Sequence, residues 1–340
     1  LKARQRGSGQ IILRSALAAA IVMLCLFYVP TPYAVYTPGL VAPVAPMVQI
    51  DGSERDPEGA FMLTTIRLTY ANYWMALQSM WDSDMMLYRK RDVIGDKSEV
   101  EYAARLTYVM QQSQSNAVEA AYRAADVPYR IATEQLAVTD IAPGSEDELR
   151  PGDRLLALDG QTVQDAETLS DQLSKRQAGE QLTWTVVRSG EEYQAISTLR
   201  QLVAADGLAP ALGLQLAELR KLEPDDPGQT VRIDAGEIGG PSAGLMFALQ
   251  IYDDLTGGVL ADGRQIAGTG TIDPEGKVGP IGGISLKITA ADAMGAELFL
   301  APLQNAEEAA EKARRIGSSM EVIAVSTIDE AIARLQDKQG

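Results

Sequence analysis

No histidine occurs in the 340 residues of this chain. That absence removes the most common general base and a principal zinc ligand together. A Ser-His-Asp triad cannot be assembled, and an H-E-x-x-H metal site is excluded. Cysteine is almost as scarce. The single Cys25 lies in an apolar run, so there is no internal disulfide, no paired-cysteine zinc site and no cysteine placed to act as a base. No metal or other cofactor is therefore expected. Positive charge is also short: 30 Lys and Arg stand against 46 Asp and Glu, and the net charge of −16 argues against a nucleic-acid partner, which needs a basic face. A nucleotide-phosphate loop is missing as well. The stretch from Gly270 to Lys277 comes nearest, but it has one residue too many between Gly270 and Gly276, and Val278 stands where a Walker A hydroxyl belongs.

What is present is a serine in an unusual frame. Gly240-Pro241-Ser242-Ala243-Gly244 fits G-x-S-x-G, a turn that lifts a serine hydroxyl out of the strand preceding it. Without histidine, another group must take the proton of Ser242. A lysine serves if burial lowers its pKa by about 3 units from its ordinary value near 10.4. Pro280-Ile281-Gly282-Gly283-Ile284-Ser285-Leu286-Lys287 supplies one, flanked by Ile284, Leu286 and Ile288. The start of a helix at Ser242 provides backbone N–H groups for a developing oxyanion, and Gly239, Gly240 and Pro241 form the loop that shapes it.

These two frames, with Ala267-Gly268-Thr269-Gly270 between them, resemble the proteolytic domain of Lon-type proteases over about residues 228–335. The resemblance implies a serine–lysine dyad, with Ser242 the nucleophile, Lys287 the general base and Thr269 orienting the lysine. It also implies proteolysis of proteins or peptides and, by analogy, assembly into a ring. With no Walker A loop, proteolysis independent of ATP is expected. C-terminal processing peptidases, which also join Ser–Lys chemistry to a PDZ domain, are the alternative enzyme class. A PDZ scaffold on an inactive protease fold is the non-enzyme alternative.

Residues 127–201 have a different character. Val138–Ile141 reads as a short strand and Ala142–Ser145 as a turn, before Leu149-Arg150-Pro151-Gly152-Asp153-Arg154-Leu155-Leu156-Ala157-Leu158-Asp159-Gly160. That run predicts a tight turn, a buried strand and a second turn at Asp159-Gly160. It resembles the L-x-P-G-D-x-[IL]-L-x-[LV]-[DN]-G signature of bacterial PDZ domains. The implied partner is an extended peptide added to a sheet edge.

The N-terminus is basic, then apolar. Lys2, Arg4, Arg6 and Arg14 precede an apolar run that with Ile11–Leu13 reaches Val29. This predicts a single transmembrane helix over 11–29, with the N-terminus cytoplasmic and everything after residue 30 outside the cytoplasm. A cleaved signal peptide is the competing reading; Pro30-Thr31-Pro32 follows the run, and no A-x-A site does. The expected organisation is a basic tail over 1–10, the anchor over 11–29, a Pro-rich stalk over 30–56, a membrane-proximal segment over 57–126, the PDZ domain over 127–201 and an α/β Lon-type proteolytic domain over 202–340. Leu106–Ser113 resembles the helix that opens a Lon proteolytic domain. On that reading residues 57–126 belong to the protease and the PDZ module is inserted into it; otherwise they form a separate helix near the membrane.

Local signals fill in the rest. Ser98–Ala125 has helical spacing, Asn305 and Thr327 read as helix caps, and Gly295 and Gly317 as helix stops. A segment from Tyr70 to Tyr88 is dense in Tyr, Trp and Met. It reads either as packed core or as an apolar surface turned to a membrane or a substrate.

Overall fold

Leu298, Phe299, Leu300 and Ala301 are apolar without alternation, as in a strand covered on both faces, and all four are buried. They lie in a parallel sheet that carries the C-terminal half of the chain. The computed structural model describes residues 2–51, 59–95, 98–142, 148–188, 190–204, 207–236 and 238–338; for 2–12, 100, 132–134, 201–204 and 207–211 it describes the backbone alone. Of the expected turns, residues 143–145 and Ser189 fall outside the described residues.

In chain order the first elements are helix α1 (Lys2–Tyr28), strands β1 (Pro30–Pro43), β2 (Val48–Ile50) and β3 (Ala60–Asn72), helix α2 (Tyr73–Gln78), strand β4 (Met86–Arg89) and helices α3 (Lys90–Ile94) and α4 (Glu99–Ala124). Then come β5 (Tyr129–Ile141), β6 (Arg154–Leu158), β7 (Gln161–Thr162), α5 (Ala166–Ser174), β8 (Gln181–Arg188), β9 (Glu191–Thr198), β10 (Arg200–Ala204), β11 (Gly207–Ala211) and β12 (Leu214–Pro224). The last stretch holds β13 (Val231–Ile233), α6 (Gly244–Thr256), β14 (Gln265–Gly268), β15 (Thr271–Ile272), β16 (Val278–Gly279), α7 (Ile284–Ala293), β17 (Leu298–Pro302), α8 (Ala306–Ile316), β18 (Glu321–Val325) and α9 (Ile328–Gln336). The chain divides into two compact units, residues 1–40 with 66–96, and residues 41–65 with 97–340.

In the first unit, β4 pairs antiparallel with Tyr33–Tyr36 of β1. Residues 30–43, expected as part of a stalk, are extended but form a strand with Ala34 and Val35 fully buried. The physical reason is where the prolines fall. Pro32 and Pro38 lie outside the four residues paired with β4, so neither removes a donor from that ladder. The expected transmembrane anchor is not borne out: among the described residues no helix is long and apolar enough to cross a membrane. Within α1 the uninterrupted apolar stretch from Ser15 to Phe27 reaches only about 20 Å at 1.5 Å per residue, against roughly 30 Å of hydrocarbon.

In the second unit, β3 pairs parallel with β14 through Ala60–Leu63, β14 with β17, and β17 with β18. One face of this sheet is covered by α4, α6 and α9 around Phe61, Phe247, Leu300 and Leu335. The other is covered by α7 and α8 around Met62, Ile288, Phe299 and Ala313. Helix α4 starts with a full capping box in which Ser98 and Glu101 exchange hydrogen bonds. Its small residues Ala117, Ala120 and Ala121 are buried and let α6 approach closely. Asn305 precedes α8 as expected, yet its side chain does not cap it. Its amide instead pairs with both backbone groups of Ile281, at 2.9 and 3.1 Å, because a side chain with a donor and an acceptor satisfies two loop groups at once.

The middle of this unit is a separate sheet of order β12-β5-β6-β8-β9, with β7 beside β6. Its core holds Leu136, Leu155, Leu182 and Trp184, whose indole N–H donates to Ser197. Asp159 and Gly160 both have positive φ, 48° and 78°, and make the tight hairpin from β6 to β7. Asp153 is completely buried. Its carboxylate takes two bonds of 2.7 Å from the Arg188 guanidinium and one of 2.8 Å from the Arg150 N–H. Removing Asp153 leaves the Arg188 guanidinium, about a quarter exposed, and the Arg150 N–H without their acceptor, at a cost of about 1–3 kcal/mol. Asp153→Ala is therefore expected to lower the urea midpoint of this sheet, followed by Trp184 fluorescence. An unchanged midpoint would show that the pair contributes nothing.

Candidate active site

The Ser242 turn is shaped by glycines that no other residue replaces cheaply. Gly240 has φ +89°, in the left-handed region, and turns the chain into a single 3-10 turn over Pro241–Ala243. At Gly244 an added Cβ would stand 2.8 Å from Ser113 Oγ and 2.9 Å from Ile272 Cγ2, so only glycine lets α6 begin there. The Ser242 carbonyl accepts from the Gly270 N–H at 2.8 Å and from the Thr269 hydroxyl at 2.9 Å.

The lysine arrives from the opposite side of the sheet. Gly283, at φ 70°, is the left-handed N-cap of α7, and Asn305 pins the turn just before it through Ile281. One turn into α7, Lys287 is only 1% exposed, with Ile284, Leu286 and Ile288 also buried. Its Nζ lies 2.8 Å from Ser242 Oγ and 2.7 Å from Thr269 Oγ1. Burial pushes the Lys287 pKa down from 10.5 to about 7. Thr269 is fully buried at the end of β14, held by its N–H to the Leu300 carbonyl at 3.0 Å. The three residues singled out from sequence, Ser242, Thr269 and Lys287, thus meet at one point.

The loop residues divide. Pro241 has no N–H to offer. The Gly240 N–H faces the Leu106 carbonyl at 3.4 Å, and Gly239 packs against the Leu106 side chain. Ser242's own N–H, in the first turn, has no partner within that turn.

Helix α4 contributes residues that sequence reasoning missed. Ser113 is 3% exposed and donates to the Pro241 carbonyl at 3.0 Å. Asn116, one turn on, donates to the Ile272 carbonyl at 3.0 Å. Both hold segments that flank the serine. The sequence signals were the Leu106–Ser113 run, which ends on this serine, and a small polar residue on the face that carries Ala117 and Ala120.

Two family models match the chain. Residues 231–337 match the Lon protease (S16) C-terminal proteolytic domain, and residues 117–198 match the PDZ domain. Among curated relatives, the Lon protease of Azorhizobium caulinodans is 39% identical over 93 residues, 27% of this chain and 11% of that protein. The Lon protease of Chloroflexus aggregans is 35% identical over 92 residues, again 27% and 11%. The match thus spans about a tenth of the length of these relatives. Among solved structures, the PDZ domain of an SdrC-like protein from Listeria monocytogenes is 16% identical, with a TM-score of 0.23, covering 26% of this chain and 92% of that one. The chain carries a Lon protease C-terminal proteolytic domain and a PDZ domain on an α/β framework.

The depressed lysine pKa has a consequence for stability. Below pH 7 Lys287 is protonated in both folded and unfolded chains, and the fold carries the whole cost of a buried charge. Between about pH 7 and 10.5 the folded chain gives up that proton first, and the cost fades. Lys287→Met is expected to raise Tm at pH 6, with the advantage shrinking as pH climbs through that window. Thermal unfolding at pH 6 and pH 9.5 checks this; a gap that stays constant would contradict a buried ammonium.

Proposed function

We propose that this chain is an ATP-independent serine endopeptidase in which Ser242 is the nucleophile, Lys287 the general base and the PDZ domain the substrate selector. The observation that carries the reading is the 2.8 Å approach of a buried, pKa-depressed amine to a serine hydroxyl. Proton bookkeeping supports the roles. Thr269 spends its single hydroxyl proton on the Ser242 carbonyl, so at its contact with Lys287 it must accept. A neutral amine then commits one N–H to Thr269 and can turn its lone pair toward Ser242. Ser242 Oγ–H donates to that lone pair as Oγ attacks the scissile carbonyl. The Ser242 N–H faces the developing oxyanion. The Lys287 ammonium passes the proton to the leaving amine, and water, deprotonated by the same amine, releases the acyl group.

The fit of residues 231–337 to a Lon domain favours this class over a C-terminal processing peptidase. ATP independence is consistent with the Gly270–Lys277 loop. Its Gly276 and Lys277 N–H groups are taken by Asp273, and the Asp273 N–H by the Lys277 carbonyl, which leaves no cradle of amides for phosphate.

Ser242→Ala should lower kcat/KM on an unstructured peptide by at least about a hundredfold without loss of fold, and Lys287→Arg should lower it as far, with a drop in Tm because its charge stays buried. Arginine keeps the charge but stays protonated at every working pH, so it cannot act as base. Wild-type activity should rise with pH through a midpoint near 7, the pKa to which burial lowers Lys287. Substantial activity in Lys287→Arg would remove Lys287 from the mechanism.

The PDZ module is proposed to be an insertion that recruits extended peptide segments by strand addition. The chain leaves at Pro128 and returns at Asp225, whose N–H donates to the Pro128 carbonyl at 2.9 Å. Residues 129–224 can therefore be replaced by a short glycine linker. The deletion strips buried Glu119 of Arg220, so Glu119→Gln should accompany it. The shortened enzyme should keep hydrolysis of a small ester and lose most cleavage of a protein substrate. Undiminished protein cleavage would deny the module a role in selection.

A further inference from the structure

The aromatic segment from Tyr70 to Tyr88 is not absorbed by the catalytic reading. The structure leaves it in solvent. Met80 is 79% exposed, Trp81 62% and Tyr73 51%; Trp74, Leu77 and Tyr88 are also exposed. These side chains touch one another rather than a core: Trp74 and Trp81 meet edge to face at 6.5 Å, and Trp74 lies 5.6 Å from Phe27 near the end of α1. Asn72 fixes that junction by capping α2 and donating to the Phe27 carbonyl at 2.9 Å. The apolar surface continues along α1, where Leu17, Ile21, Val22 and Leu24 are each more than half exposed. An apolar, aromatic-rich surface of this kind marks an interaction site.

Charge selects the partner. The whole chain is strongly acidic, yet residues 1–40 contain Lys2, Arg4, Arg6 and Arg14 and no acidic residue. Arg89, Lys90 and Arg91 follow directly on Tyr88, and the Lys90 ammonium sits over the Tyr70 ring at 4.2 Å from its centre. Of the nearby acids, Asp92 is exposed beside Arg91, while Asp82 is half-buried and accepts from Gln78 and from the Asp84 N–H. Exposed Trp and Tyr beside basic residues match the chemistry of a bilayer headgroup layer, which takes amphipathic rings at the acyl boundary and cations at the phosphates.

We propose that the surface built by Tyr73, Trp74, Met80, Trp81 and Tyr88 docks on an anionic lipid bilayer, lying in its interface without crossing it. Arg89, Lys90 and Arg91 supply the electrostatic attraction, and Trp81 and Met80 the apolar contact. The proposal is independent of the catalytic reading and of any spanning helix.

Tryptophan fluorescence isolates this surface in the full chain. Helix α1 has no tryptophan, and Trp184 is fully buried, so only Trp74 and Trp81 can report on lipid. Vesicles of phosphatidylglycerol with brominated acyl chains should quench and blue-shift the emission, and phosphatidylcholine vesicles should do so far less. Trp74→Phe with Trp81→Phe should abolish the response. Each glutamine replacement at Arg89, Lys90 or Arg91 should weaken anionic-vesicle binding about fivefold, ~1 kcal/mol per charge. Three results would overturn the proposal. One is co-sedimentation with vesicles but no quenching, which would mean attachment through α1 alone. Another is quenching that survives in the double Phe variant. The third is a blue shift that grows with protein concentration in the absence of lipid, which would make a second copy the occupant.

Discussion

An amine held out of water is the constraint on which the rest of this protein depends. Lys287 is 1% exposed, and desolvation alone brings its pKa from 10.5 to about 7. A charge transferred to such a site would be costly without a partner, and among the described residues the amine bonds to no carboxylate; its bonds go to two hydroxyls. Neutrality is the state this arrangement favours, and neutrality is what a base requires. The surroundings must be rigid to keep water away. That explains why α7 is apolar on so many sides, with Ile284, Leu286, Ile288, Ala290 and Ala291 all buried.

Placing the hydroxyl against that amine is a problem of long-range assembly. Ser242 and Lys287 are 45 residues apart and reach each other because β14 runs between their segments and ends at Gly268, just before Thr269. The parallel sheet sets the position of Thr269 through the Leu300 carbonyl, and Thr269 then holds Ser242 by its carbonyl and Lys287 by its amine nitrogen. A threonine is suited to this because its hydroxyl donates and accepts at once. Glycines at 240, 244 and 283 serve the same end by permitting a left-handed turn, a close helix approach and a left-handed cap.

The parts of the site that were legible in sequence are those with a local cause. The serine turn, the lysine frame and the threonine step each carry glycines whose spacing reports backbone geometry. The PDZ signature was legible for the same reason, since Asp159 and Gly160 force a hairpin and Asp153 a buried ion pair. What sequence did not reveal depends on partners distant along the chain. Ser113 looks like an ordinary helix residue until α4 packs on the Pro241 loop 128 residues away. Asn305 reads as a cap until Ile281 competes for its amide. Strand β1 reads as a stalk because its prolines are visible and its partner β4, some fifty residues on, is not. The apolar run over 11–29 had the composition of a span but, between Arg14 and Tyr28, not the length.

Helix α4 joins two demands that sequence would assign to separate domains. Ser113, Asn116 and Glu119 follow at one-turn spacing. The first holds the Pro241 carbonyl and the second the Ile272 carbonyl. The third, 2% exposed, receives Arg220 of β12 at 3.0 Å, while Arg220 also donates to Asn116 at 2.7 Å. Buried ion pairs of this kind add little net stability, because desolvation offsets the attraction. Their value lies in register. Were β12 to slide along α4, Glu119 and Arg220 would be parted in a site with little water, and Asn116 would lose one of its two partners. The same stripe of side chains therefore fixes where the PDZ sheet attaches and where the serine turn lies.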